Sequence, residues 1–131
     1  MIRTSGWQSR LVVVLFLIPA VINLLPLSGV LGAGQLQTLY GMSLAGADLL
    51  LLLQHRAVVI GVVGLLLLAA AIRPALRPAA SVAGLLSMGS YLFLALPLGE
   101  HNTELQRVFW ADVIALVSLL LAVSLSRVRH A

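Results

Sequence analysis

The chain is 131 residues long, and 61% of its residues are hydrophobic whereas only 9% are charged. With a mean hydropathy of +1.11, it carries more apolar surface than one small soluble core could bury. It contains no cysteine, which excludes disulfides and thiolate metal sites. Its basic residues are all arginines, scattered along the chain rather than gathered on one face, so nucleic acid is not an expected partner.

Four apolar runs account for most of the sequence. They cover residues 11–31, 49–72, 79–99 and 108–126, each close to the roughly 20 residues that cross a hydrocarbon layer about 30 Å thick. The runs are continuous rather than alternating, and backbone groups in lipid must be paired within their own segment. The sequence therefore predicts an all-α, single-domain protein built as an antiparallel bundle of four transmembrane helices.

The first run contains Pro19 and Pro26, which predict a kink and a helix end. It resembles a signal peptide, but Leu31-Gly32-Ala33 lacks the small residue three places before a cleavage point. We expect this segment to be retained as a span. The connection that follows, about residues 32–47, is the longest and is expected to form an interfacial turn or a short helix.

The later connections are short. Arg73-Pro74-Ala75-Leu76-Arg77-Pro78 predicts a tight hairpin in which each arginine reaches the headgroups. Thr103-Glu104-Leu105-Gln106 has the spacing of a capping box at the start of the fourth helix. Small residues recur inside the spans and predict close helix packing. They are Gly61, Gly64, Ala80, Gly84 and Ser87.

The charges predict an orientation. Six arginines fall on one side of a four-pass chain: Arg3, Arg10, Arg73, Arg77, Arg127 and Arg129. The other side receives Asp48, Glu100 and Glu104. By the positive-inside rule, both termini are expected to be cytoplasmic, with Trp7 and Trp110 as interface anchors.

One polar residue lies about eight residues inside each span, on the side that carries the acids. These residues are Asn23, Arg56, Tyr91 and Asp112. A charge near the membrane centre costs about 2.5–3.5 kcal/mol on insertion scales, so equal depth favours an Arg56–Asp112 ion pair. The pair is interpreted as a structural bridge that fixes helix register, or as a functional site. Asn23 and Tyr91 are expected to form interhelical hydrogen bonds.

Two further groups carry titratable side chains. His55 follows Asp48 by seven residues, which returns it to nearly the same helix face and allows a proton relay. The alternative is that Asp48 caps the helix while His55 hydrogen-bonds inside the bundle. Glu100, His101 and Glu104 are interpreted as a solvated acidic loop rather than a metal site. We expect neither a metal ion nor another cofactor.

Several short motifs resemble those of small bacterial four-helix membrane proteins of the DoxX-like group. They are Tyr40-Gly41 before an arginine-bearing helix, the Arg-Pro hairpin, and Val108-Phe109-Trp110-Ala111-Asp112 at the start of the last helix. The resemblance covers most of the chain. It implies a four-helix fold in the bacterial inner membrane, with Arg56 and Asp112 as signature residues, and it identifies no catalytic residue.

Three functional classes are consistent with these features. The first is a non-enzymatic membrane subunit or helper, with lipids, a second copy of the chain or another membrane protein as partners. The second is a membrane-embedded enzyme for a lipid or isoprenoid, with Asp48, His55, Glu104 or Asp112 as acid and base. Its candidate binding residues are Arg56, Asn23, Tyr91, His101 and Glu100. A proton-coupled exporter is the least favoured class, because the first span contains no carboxylate.

Overall fold

The computed structural model describes residues 6–128. Within that range the chain forms five α-helices and three 3-10 turns, with no β-strand. The α-helices are α1 (Gly6–Leu24), α2 (Ala33–Tyr40), α3 (Ala47–Ile72), α4 (Arg77–Ala95) and α5 (Thr103–Val128). The 3-10 turns are Leu25–Leu31, Pro74–Leu76 and Leu96–Leu98. The predicted all-α class is therefore confirmed.

Four helical segments lie where the sequence predicts spans, and each is long and apolar enough to cross a membrane. They are Gly6–Leu31, Ala47–Ile72, Pro74–Leu98 and Thr103–Val128. Each begins a few residues before its apolar run. At about 1.5 Å per residue, helices of this length exceed a hydrocarbon layer of about 30 Å, so their polar first turns can lie outside it. Arg3 and Arg129, two of the arginines that predict orientation, lie outside the described residues.

The first span continues past Pro19 because another helix replaces the missing hydrogen bond. Proline has no backbone N–H, so the carbonyl of Leu15, four residues earlier, loses its usual helical donor. The Ser118 hydroxyl of α5 donates to that carbonyl at 3.0 Å. Ser118 is only 5% exposed, and its hydroxyl replaces the donor that Pro19 cannot supply.

The connection after the first span contains the expected short helix, α2. Pro26 lies in the first turn of the preceding 3-10 segment, where proline favours the end of the regular α-helix. Gly41 ends α2 in the left-handed conformation at φ +66°, and its N–H donates to the Gln37 carbonyl at 2.8 Å. A residue without a Cβ adopts this backbone conformation at little cost.

The connection between α3 and α4 at the Arg-Pro sequence is short, as predicted. Arg73 has the extended backbone that precedes a proline, and α4 begins at Arg77 after one 3-10 turn. Arg73 is exposed, whereas Arg77 turns inward, contrary to the expectation that both reach the headgroups. Arg77 Nε donates to the Ala70 carbonyl at 3.2 Å, and its guanidinium lies 5.5 Å from the Phe16 ring centroid.

The helices surround one apolar core. The helices α1 and α4 each pack against both α3 and α5, which places α3 diagonally opposite α5. The largest fully buried core side chains are Val12, Phe16, Leu67, Met88 and Leu119. Many large apolar side chains face outward instead, among them Val21, Leu65, Leu86 and Leu121. A surface of this kind suits lipid rather than water.

Small residues allow the close packing that their spacing predicts. A Cβ added to Gly64 would lie 3.0 Å from the Leu24 backbone nitrogen and 3.1 Å from the Ala20 carbonyl oxygen. Gly61 faces Leu27, and Gly84 faces Leu119. Glycine therefore lets α3 approach the backbone of α1 directly.

Two predicted helix caps are wrong. The N-cap of α5 is Asn102, whose Oδ1 accepts the Leu105 N–H at 2.8 Å, whereas Thr103 is already the first helical residue. Asparagine is among the strongest N-caps, so Asn102 takes this role one residue earlier. Asp48 makes no capping hydrogen bond to α3, because the N-cap is Gly46 and Asp48 lies inside the first turn.

Candidate functional site

The described polar contacts are densest around Arg56, in the third turn of α3. Its Nη1 donates to the Tyr40 hydroxyl at 2.6 Å. The guanidinium carbon lies 5.2 Å from the Tyr40 ring centroid and 5.7 Å from the Tyr91 ring centroid. Both distances fall within the range of about 6 Å in which a cation and an aromatic face attract. We call Tyr40, Arg56, Tyr91 and Asn102 the Arg56 cluster.

Tyr40 belongs to this cluster because α2 presents one narrow apolar face to the bundle. Leu36 and Tyr40 lie four residues apart, on the same side of α2, and are 0% and 2% exposed. The Leu36 side chain packs beside Gly29, where a Cβ would collide with it. The helix end at Gly41 then leaves Tyr40 at the last helical position, with its ring against Arg56.

Asn102 and Tyr91 connect the same cluster to α5. Asn102 Nδ2 donates to the Tyr40 carbonyl at 2.8 Å and to the Gly41 carbonyl at 3.4 Å. The Tyr91 hydroxyl lies 3.5 Å from the Leu105 carbonyl, to which it donates a weak hydrogen bond. One group of side chains therefore ties α2, α3, α4 and α5 together.

Asp112 is not the direct partner of Arg56 that equal depth predicts. Among residues 6–128 no ion pair within 4.0 Å joins the two side chains, and the hydrogen bond of Arg56 goes to Tyr40. The physical reason is lateral position, since α3 and α5 lie across the diagonal of the bundle. Asp112 is partly buried in the third turn of α5.

Asn23, the fourth member of the predicted polar layer, makes separate contacts. It is 3% exposed, and its Nδ2 donates to the Pro19 carbonyl of its own helix at 2.8 Å. The same nitrogen lies 3.5 Å from the Met88 sulfur of α4. The interhelical contact expected for Asn23 is therefore made to a thioether, a weak acceptor. The four residues of equal depth do not form one continuous network.

The proposed Asp48–His55 relay is not assembled in the structure. Both side chains are exposed, and no hydrogen bond joins them within the described part of the chain. Seven residues separate them by about 10 Å along the helix axis. His55 lies on the outward face of α3, beside the exposed Leu52 and Val59. The alternative hydrogen bond inside the bundle is likewise not formed.

The acidic connection before α5 spreads its side chains in different directions. Glu100 is exposed, a ring nitrogen of His101 lies 3.1 Å from the Ala95 carbonyl, and the Glu104 carboxylate packs against Gly41. Between Gly6 and Val128, no three histidine or acidic side chains converge on a point that could hold a metal ion. The contacts of His101 and Glu104 are therefore local, to the end of α4 and to the end of α2.

Two cluster residues, Tyr40 and Asn102, are absent from the candidate site residues that the sequence predicts. Each had a local signal. A glycine directly after Tyr40 is typical of a helix C-terminus, and an asparagine directly before an apolar helix is typical of an N-cap. These signals locate the ends of two helices, but they do not show that the two ends meet.

Comparisons of the chain with protein-family models, with curated proteins and with solved structures find no match.

Proposed function

We propose that the protein is a non-enzymatic, multi-pass membrane subunit or helper in which the Arg56 cluster is structural. The observation that carries this proposal is the set of contacts made by Arg56, which uses a hydrogen bond and two aromatic faces to join three helical segments. A cation inside a span is costly unless its surroundings compensate it. Here the groups that compensate the cation, Tyr40 and Tyr91, belong to other helices. Their contacts with Arg56 therefore also stabilise the packing of the bundle.

We also infer that the four spans run antiparallel, with both termini on the cytoplasmic side of a bacterial inner membrane. The order of helix contacts supports the antiparallel arrangement. Along α1 and its 3-10 extension, Leu24 packs by Gly64 and Leu27 by Gly61, so position rises in one helix as it falls in the other. The excess of arginine at alternate connections supports the orientation.

The affiliation with DoxX-like membrane proteins is part of the same proposal. Its support is the sequence itself: Tyr40-Gly41, Arg56 on the following helix, and Asp112 near the start of the last helix. Two of these motif residues, Tyr40 and Arg56, are in contact. Membrane lipids, a second copy of the chain or another membrane protein would cover the outward apolar faces.

The experiment compares the native host carrying wild-type protein with one carrying Asp112→Asn or His55→Gln, both close to isosteric. For a helper, both variants fold, the membrane lipid profile measured by mass spectrometry does not change, and cross-linking in native membranes recovers the same protein neighbour. Loss of one lipid product from a variant that unfolds like the wild type would instead establish the enzyme alternative. Tyr40→Phe provides the structural control, because it weakens the cluster without removing a carboxylate or an imidazole.

A further inference from the structure

We propose that three exposed arginines form a binding surface for the phosphate groups of anionic phospholipids. The residues are Arg10 in α1, Arg73 directly after α3 and Arg127 in the last turn of α5, and all three are exposed. We call them the arginine face. The inference rests on the antiparallel arrangement proposed above, which brings these three positions to the same end of the bundle.

The packing order supports this grouping. Because α1 packs against both α3 and α5, Arg10 lies on the middle helix of three neighbours, with Arg73 and Arg127 on either side. Trp7, three residues before Arg10, is 62% exposed and lies on the same side of α1. Tryptophan prefers the headgroup level of a membrane. The arginine face is therefore placed where lipid phosphates are found.

The charge around these residues has one sign. All four acidic side chains of the chain lie in other parts of the fold: Asp48 and Asp112 in the first three turns of α3 and α5, Glu100 in the connection before α5, and Glu104 in its first turn. No acidic side chain of this chain is therefore placed to compete for the three guanidinium groups. A guanidinium binds phosphate through two parallel N–H···O hydrogen bonds, a geometry that an ammonium group cannot provide.

Apolar neighbours favour a lipid over other phosphate-bearing partners. Each arginine is adjacent in sequence to an exposed aliphatic residue. These residues are Leu11, Ile72 and Val128, which are 37%, 76% and 74% exposed. A phospholipid presents a phosphate directly beside acyl chains, so one molecule can contact both the cation and the aliphatic side chain. Nucleic acid or free phosphate would leave the aliphatic side chains uncovered.

The test is native mass spectrometry of the full-length protein, released from bilayers that contain phosphatidylglycerol and phosphatidylcholine with identical acyl chains. We expect the wild type to retain phosphatidylglycerol preferentially. Since each basic residue near a charged surface contributes about 1 kcal/mol, Arg73→Gln or Arg127→Gln should lower that preference about fivefold, and the double variant further. Arg73→Lys should recover part of the preference that Arg73→Gln loses, because lysine restores the charge but cannot form the two parallel hydrogen bonds of a guanidinium group.

The matched control is Arg107→Gln, which removes an exposed arginine near the opposite end of α5. We expect it to leave the lipid preference unchanged. An equal loss in Arg107→Gln and Arg127→Gln, or equal retention of both lipids by the wild type, would overturn the proposal. Displacement of phosphatidylglycerol by millimolar inorganic phosphate would identify a simple ion site instead. Circular dichroism of each variant verifies folding.

These outcomes are independent of the proposed helper function. Lipid retention that depends on Arg73 and Arg127 would stand even if Asp112→Asn altered lipid composition and showed the protein to be an enzyme. A periplasmically active reporter fused after Ala131 would reverse the proposed orientation. It would move the lipid site to the other leaflet without abolishing it.

Discussion

Between residues 6 and 128, two arginines lie over aromatic rings, and they do so for different reasons. Arg77 begins a helix, contacts Phe16 and donates to the Ala70 carbonyl in the last turn of α3. Arg56 lies well inside a helix, between Tyr40 and Tyr91, and donates to a side-chain hydroxyl of another helix. Arg77 satisfies a carbonyl that every α-helix leaves free at its C-terminus. The Arg56 guanidinium is instead stabilised by the side chains of Tyr40 and Tyr91, which belong to other helices.

The two contacts depend on different properties of the arginine side chain. A backbone carbonyl at a helix end accepts from almost any nearby donor, and it gains from any cation because of the helix dipole. A gap between two aromatic rings needs a flat cation that can face both rings and still form a directed hydrogen bond. We therefore expect the Arg56 cluster to be the less replaceable of the two. Three of the four predictions below test this difference, and the third concerns a contact between α1 and α5.

The largest expected effect follows from removing the buried ring in each region. Tyr40→Ala and Phe16→Ala should each lower the free energy of unfolding by about 3–5 kcal/mol, as large-to-small changes at buried aromatic sites do. The two variants should differ in α2. Only Tyr40→Ala removes one of the two side chains that α2 buries, so amide hydrogen exchange of residues 33–40 should accelerate in Tyr40→Ala and stay near the wild-type rate in Phe16→Ala. Equal protection of α2 in both would show that Tyr40 does not dock it.

The next effect comes from exchanging each arginine for lysine. Arg56→Lys should lower the free energy of unfolding by about 1–3 kcal/mol, because it weakens two cation–π contacts and redirects a charge-assisted hydrogen bond. Arg77→Lys should cost less than about 1 kcal/mol, since an ammonium group can still reach the carbonyl and the helix dipole. Unfolding by SDS in mixed micelles measures both. A larger loss in Arg77→Lys would reverse the comparison.

A smaller effect is expected for the contact in which Ser118 of α5 donates to the Leu15 carbonyl of α1. Ser118→Ala should cost about 0.6–1.7 kcal/mol, from the average to the largest value found by double-mutant cycles for interhelical hydrogen bonds in a membrane protein. Adding Pro19→Ala should recover much of the loss, because residue 19 would again donate to Leu15.

The control for this prediction is Ser124→Ala, also in α5. The Ser124 hydroxyl is exposed and bonds only to the Leu120 carbonyl of its own helix, so its removal should be close to neutral. Full additivity of Ser118→Ala and Pro19→Ala would mean that the serine does not compensate for the proline.

The features that sequence predicts well here depend on positions along one helix. Run length gives the four long apolar helical segments, and the proline pair gives the short connection at Arg73 and Arg77. The proline at position 19 even identifies the carbonyl of Leu15 as lacking a donor, although nothing in the sequence indicates which residue supplies one. Such features need only the geometry of a single helix.

The features that the sequence does not predict depend on which helices are adjacent in the bundle. Equal depth of Arg56 and Asp112 sets their axial positions, but contact also requires adjacent helices. Short links favour packing between consecutive spans, which leaves the second and fourth spans diagonal. The short links in the sequence therefore favour a partner for Arg56 on a neighbouring segment. The sequence does not identify Tyr40 as that partner. Its contact with Arg56 depends on how α2 packs against α3, which only the structure gives.

The smallest expected effect is the energetic coupling between Arg56 and Asp112. A double-mutant cycle with Arg56→Gln and Asp112→Asn should give an interaction energy below about 0.5–1 kcal/mol, as for residues that influence each other without direct contact. The corresponding cycle with Arg56→Gln and Tyr40→Phe should give a larger value of about 1–2 kcal/mol, because a charge-assisted hydrogen bond is broken. Both cycles use SDS unfolding in the same micelles, so the Arg56→Gln data are shared and only the partner differs. If Asp112 coupled to Arg56 more strongly than Tyr40 does, the guanidinium would be held chiefly by the carboxylate across the bundle. Arg56 would then not be the residue that chiefly holds the Tyr40 hydroxyl in the bundle.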